Sequence, residues 1–231
     1  VGIAGLLNKK IDIANSSREL NPYEQRLAAQ RSVSIIPYVF AADALAIICH
    51  PSIPVDSLLL SDLGRIFSGE VRDWQELGAA PGAISLYGRQ SNSGTFSYFR
   101  ERVLGKDYAA ELKQMNGNAQ ILEAVKADPH AIGYVGFGYL TDNSGALRPG
   151  IKVIKLASEP GKPGVSPLDR VAIRDGLYPL TRPLYQFTDG ERAGSIHAFF
   201  EFEKSAAGQR IIIENGYLPA SEAGLAYNSG K

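Results

Sequence analysis

The chain contains one cysteine, one methionine, one tryptophan and three histidines among 231 residues. A single cysteine excludes an internal disulfide and a cysteine-rich metal site. Its place in the apolar run "ALAIICHP" predicts a buried, unreactive thiol at Cys49. His50, His130 and His197 stand too far apart for zinc-ligand spacing. An excess of charge is missing too: 24 Lys+Arg balance 24 Asp+Glu. Binding to a nucleic-acid backbone usually leaves a basic surplus, so nucleic acid is not an expected partner. That balance leaves a single local anion pocket untouched. There is no G-x-x-x-x-G-K-[ST] loop for nucleotides. No apolar run approaches the ~20 residues of a membrane helix. No secretory signal stands at the front, and the opening "VGIAGLLNKKIDIANSS" reads as the middle of a domain.

What is present is ordinary globular composition, 45% hydrophobic and 21% charged, enough to bury a core. Strand-like and helix-like stretches alternate, which predicts an α/β architecture. "VGIAGLLNK" reads as a short helix and "KIDIAN" as a buried strand. "SSRELNPYEQRLAAQRS" carries cap-type serines and then helix formers. "VSIIPYVFAADALAIICH" is rich in β-formers and predicts two strand segments, interrupted at Pro37 and Asp43. "SLLLSDLGRIFSG" predicts one or two short helices closed by Gly69, and "AISLYG" a strand. "TFSYFRERVLG", "YAAELKQMNG" and "AQILEAVKADP" predict three helices. "HAIGYVGFGYL" and "IKVIKLA" read as strands, the first with glycines where a ligand or backbone can approach. "YPLTRPLYQF" carries two prolines, which suit an edge or crossing segment. Two closing helices follow, and the small, polar tail "ASEAGLAYNSGK" is expected to be loose. The proline-marked stretches near Pro37 and Pro179–Pro183 suit hinges, with the two ends forming one lobe and the middle the other.

The stretch "RQSNSGTFSYF", Arg89 to Phe99, concentrates the chemistry. The preceding strand delivers Arg89 to a sheet end, "QSNSG" turns, and Ser93 or Thr95 caps a helix running to about Val103. Three readings compete: a plain helix cap, a serine nucleophile needing a base beside it, and an anion cradle. For the cradle, Arg89 supplies a planar fork, Ser93 and Thr95 supply hydroxyls, Gly94 gives clearance, and the helix start supplies free N–H groups. No histidine or lysine is close to Ser93 in sequence, and Asn92 precedes it where a G-x-S-x-G elbow would have a different pattern. "DIANSSREL" puts Ser16, Ser17 and Arg18 at a second turn. Asp43 lies inside an apolar run, which is costly unless it is paired, capping or facing a site.

In this order, "GIAGLLNKKIDIANSSREL", "IPYVFAADALAIICHPSIPVDSLLLSDLGRIFSGEVRDWQELG", "ISLYGRQSNSGTFSYF", "AIGYVGFGYL" and "DGLYPLTRPLYQF" resemble the phosphate-binding proteins of bacterial ABC phosphate importers. The likeness runs to about Leu218, and "IFSGEVRDW" with Arg-x-x-x-Ser-Gly-Thr is its most specific part. The resemblance implies a two-lobed periplasmic-binding-protein fold of mixed sheets flanked by helices with two hinge crossings. Lobe I would comprise residues 1–42 plus 179–231, and lobe II residues 43–178. One inorganic phosphate would sit between the lobes, held by Arg89, Ser93, Gly94 and Thr95 and by the loop at Ser17. Family members often carry at that position an aspartate that accepts the proton of hydrogen phosphate. A serine both donates and accepts, so selectivity over sulfate is expected to be less sharp, and Asp43 is a second candidate acceptor.

The resemblance further implies a strand, a helix and a strand ahead of Val1, on the order of 30 residues, with two more ligand loops. It implies a monomeric, non-enzymatic receptor without cofactor or metal. Its place would be periplasmic or extracellular, with or without a lipid anchor, and its partner a membrane permease. The alternatives are a sensor, surface or interaction protein of the same fold binding another oxyanion, or a hydrolase using Ser93.

Overall fold

The structure, a computed structural model, describes residues 2–142, 144–191 and 193–220; the tail expected to be loose lies almost wholly outside these residues. The chain divides into two compact units, residues 1–43 with 182–231, and residues 44–181.

The unit built from the two ends begins with α1 (Gly2–Leu7), β1 (Ile13–Ser16) and α2 (Pro22–Gln30). Asn21 caps α2, accepting from the Glu24 N–H while the Glu24 carboxylate accepts from the Asn21 N–H. The cap is therefore the asparagine and not the serines upstream. β1 pairs antiparallel with β8 (Thr181–Asp189), Ile13 opposite Thr188 and Ser16 opposite Tyr185. The first part of β2 (Ile35–Cys49) pairs antiparallel with β9 (Leu218–Pro219). Alternation along the strands divides the side chains between two faces. Ala14 and Phe187 join Ile3, Leu6, Leu7, Ala28 and Val33 in a core under α1 and α2. Tyr38 meets Phe200 of α7 (Gly194–Lys204) edge-on, and Gln186 meets Glu203 of the same helix. α8 (Ala206–Glu214) follows α7 in the same unit.

The unit formed by the middle of the chain contains β3 (Ser57–Leu59), α3 (Leu60–Phe67), β4 (Ser85–Arg89), α4 (Gly94–Phe99), β5 (Lys113–Met115), α5 (Asn118–Ala127), β6 (Ala131–Gly136), β7 (Lys152–Ala157) and α6 (Arg170–Arg174). β4 runs parallel to both β5 and β6, so the carboxyl ends of all three emerge on one side. The second part of β2 lies antiparallel to β6 and β7, and β7 pairs in parallel with β3. Leu45 to Cys49 are fully buried, and burial pushes the Cys49 thiol up to about 12, as suits an inert core sulfur.

Three local expectations change. β2 is one strand of 15 residues, not two segments. Pro37 is exposed in it, and Asp43 is neutralised by a partner described below, so neither has to break it. "YAAELKQMNG" is not a helix: its end forms β5, because pairing with β4 outweighs helical propensity. "SLL" forms β3 before α3 begins, recruited by β7.

Candidate functional site

β4 ends at Arg89, the chain turns through Gln90–Ser93, and α4 starts at Gly94. The turn closes on itself, the Ser93 N–H donating to the Gln90 carbonyl at 2.9 Å. It is also braced from β5. The Gln90 N–H donates to the Met115 carbonyl at 3.2 Å, the Ser91 N–H donates to Gln114 Oε1 at 3.2 Å, and the Gln90 side-chain amide donates to Asn116 Oδ1. Ser93 is the N-cap, its Oγ accepting from the Thr95 N–H at 3.2 Å. α4 continues into a π-helical turn, Arg100–Leu104, that ends at Gly105 in the left-handed region. Such turns form where a residue is accommodated without breaking the helix. Here a Cβ on Gly64 of α3 would lie 2.8 Å from the Val103 carbonyl, so the glycine makes room for the widened turn.

Four of the residues singled out in the sequence thus share one turn. Arg89 is half-buried, Ser93 caps, Gly94 is exposed at the first helical position and Thr95 is 8% exposed. The Nε of Arg89 is buried and meets no protein acceptor among the described residues. A buried donor without an acceptor costs roughly 1–3 kcal/mol, and more when its group is charged. The turn therefore keeps a fixed positive fork with a spare donor at the carboxyl end of parallel strands, where open α/β sheets bind their ligands.

One part of this arrangement was not marked in the sequence. The Arg89 N–H donates to the hydroxyl of Tyr134 on β6 at 3.1 Å. Gly88 permits the approach, since a Cβ there would lie 2.8 Å from that oxygen. The glycines of "HAIGYVGFGYL" hinted at close packing, but Gly133 serves the protein itself. A Cβ there would meet Ile121 of α5 at 2.8 Å.

Ser17 and Asp43 belong to the other unit. Ser17 is half-buried in the bend after β1. Beside it, Ser16 Oγ donates to the Arg18 carbonyl at 2.7 Å, and Arg18 grips Glu24 with two bonds of 2.8 and 2.9 Å. That hydrogen bond to Arg18, the main cause, holds the Glu24 carboxyl below its usual range. Arg18 is thus committed to the start of α2. Asp43 is buried, and Arg182 donates to its Oδ2 from Nη2 at 2.8 Å and from Nε at 3.3 Å. Of the roles left open for Asp43, the ion pair is present.

Residues 1–206 match the family model described as a PBP superfamily domain. The chain is 30% identical over 227 residues to a phosphate-binding protein PstS of Borreliella burgdorferi, covering 94% of this chain and 76% of that protein. A phosphate-binding protein PstS of Pseudomonas aeruginosa is 30% identical over 218 residues, covering 87% of this chain and 64% of that one. Among solved structures, an ABC-type phosphate transport receptor from Vibrio cholerae aligns with a TM-score of 0.75 at 25% identity, over 94% of this chain and 83% of that chain.

Proposed function

The chain belongs to the PBP superfamily, and from that premise we propose that it is an extracytoplasmic solute-binding protein that takes up inorganic phosphate and delivers it to a membrane permease of an ABC importer. The observation that carries the reading is the Arg89 turn. A half-buried guanidinium with an unmatched Nε donor stands one turn from a helix start carrying Ser93 and Thr95. A tetrahedral oxyanion supplies the acceptors this arrangement lacks, and charge-assisted bonds to a planar fork are the strong kind. The names of the relatives agree, each being called a phosphate-binding protein or a phosphate transport receptor. In this reading Arg89, Ser93, Gly94 and Thr95 contact phosphate, and Ser17 and Asp43 are further contacts to be tested by substitution. No chemical step is required of the protein. Ser93 Oγ is occupied as a cap acceptor, which favours binding over nucleophilic attack. The protein acts outside the cytoplasmic membrane, as a monomer, without a cofactor or metal.

A receptor for a different oxyanion is the second reading, favoured by Ser17. A serine hydroxyl donates as readily as it accepts, so it does not require a proton on the ligand. Isothermal titration with inorganic phosphate, repeated in excess sulfate, separates the two. One phosphate per chain with sulfate ineffective supports the first. Competition by sulfate supports the second, and absence of phosphate binding overturns the first.

A further inference from the structure

The turn that holds Arg89 is tied at both ends by two tyrosine hydroxyls. Tyr134 Oη accepts from the Arg89 N–H at 3.1 Å. The hydroxyls of Tyr134 and Tyr108 are 3.0 Å apart. Tyr108 in turn donates to the carbonyl of Phe96 at 3.0 Å. The direction of this chain is determined by its far end. A carbonyl only accepts, so the single hydroxyl proton of Tyr108 goes to Phe96. Tyr108 must then accept from Tyr134, which leaves the Tyr134 oxygen to accept from the Arg89 N–H. Donation runs one way, from Arg89 through Tyr134 and Tyr108 to Phe96. Burial, the largest cause, drives the Tyr108 hydroxyl strongly upward from its ordinary value, in keeping with a neutral donor.

Arg89 is the first residue of the candidate anion turn and Phe96 lies in the first turn of α4. The two hydroxyls therefore close residues 89–96 into a ring. The tyrosine rings cannot swing away easily. Tyr134 stacks on Phe99 with centroids 4.4 Å apart, Tyr108 stacks on the same phenylalanine at 5.9 Å, and Tyr108 packs against Phe96 at 4.3 Å. Phe67 of α3 closes the cluster edge-on to Phe99 at 4.9 Å. All of these residues belong to one unit.

We infer that Tyr134 and Tyr108 are positioning residues for anion binding, holding the Arg89 turn in its binding geometry before the ligand arrives. The inference rests on the proposed function for its ligand. A loop that is already ordered loses less conformational freedom on binding, and the difference appears as affinity. Neither hydroxyl is required to touch the anion.

The test uses Tyr134→Phe and Tyr108→Phe in the full chain, each read in two ways. The first is amide hydrogen exchange at Arg89 by NMR, compared with Leu86 and Tyr87 in the same strand. The second is the Kd for inorganic phosphate by titration. Loss of one buried hydrogen bond is expected to speed Arg89 exchange in Tyr134→Phe about tenfold relative to its strand neighbours, and to raise Kd about tenfold. Tyr108→Phe is expected to move both readings in the same direction by less, because Tyr134 still accepts from Arg89. A tyrosine that merely filled the core would alter all β4 amides alike. Unchanged Arg89 exchange, or faster exchange with an unchanged Kd, overturns the inference. If the wild type binds no phosphate, the proposed function fails while the exchange reading still decides whether the tyrosines order the turn. Should Tyr134→Phe fail to fold, Tyr108→Phe carries the same two readings.

Discussion

Arg182 holds the carboxylate of Asp43 with both its Nη2 and its Nε, and each residue is only 5% exposed. Asp43 is the last residue of the first segment of its unit and Arg182 the first residue of the second. The pair therefore joins the two segments at the point where each meets the rest of the chain. Breaking one side of a buried pair leaves an uncompensated charge. Arg182→Leu is expected to cost about 3–5 kcal/mol in urea denaturation. Adding Asp43→Asn to that variant should recover a large share of the loss. A single-variant cost under about 1 kcal/mol would show that the pair contributes little.

Arg89→Ala removes the fork and its spare donor. Phosphate binding is expected to weaken by about 2–5 kcal/mol, roughly thirtyfold to a few thousandfold. Arg89→Lys should restore only part of it, since an ammonium cannot make the planar, two-point grip. Titration of the three proteins gives the order directly. A lysine variant binding as tightly as the wild type would contradict the bidentate reading.

Ser93→Ala removes the cap on the Thr95 N–H. The expected loss of stability is about 1 kcal/mol, seen as a fall in Tm, together with weaker phosphate binding. The same variant separates receptor from hydrolase. Ester substrates should show no turnover with either protein, and a serine-dependent activity lost in the variant would favour the enzyme.

Glu203 supplies a prediction about pH. Its Oε1 accepts from Gln186 Nε2 at 2.8 Å, whereas its Oε2 is buried without a protein partner among the described residues. Burial raises its pKa above the ordinary 4.5. The folded protein therefore holds this proton more tightly than the unfolded chain does. The contribution of the group to stability is best below pH 4.5 and declines as pH rises towards the folded value, remaining unfavourable above it. Glu203→Gln is expected to raise Tm at pH 7 and to change it little below pH 4.5. A variant that lowers Tm at pH 7 would show that the carboxylate has a partner worth keeping.

Much of this molecule follows from the order of its residues. Alternating apolar runs and cap signals place most strands and helices, because burial and hydrogen bonding act over a few residues at a time. Arg89 before a Ser-Gly-Thr helix start is legible in the same way, since a strand end and a helix cap are local features. Pairing across the chain was decided elsewhere. Residues 113–115 become a strand only because β4 offers them a partner, and β2 runs unbroken past Asp43 only because Arg182, 139 residues away, neutralises it. The Tyr134–Tyr108 chain is also the work of tertiary structure. Each hydroxyl finds its neighbour across 26 residues of sequence, and nothing in the residues around either tyrosine specifies which donor or acceptor it will meet. Local signals place Arg89 ahead of a capped helix start, and long-range packing decides which groups that turn meets.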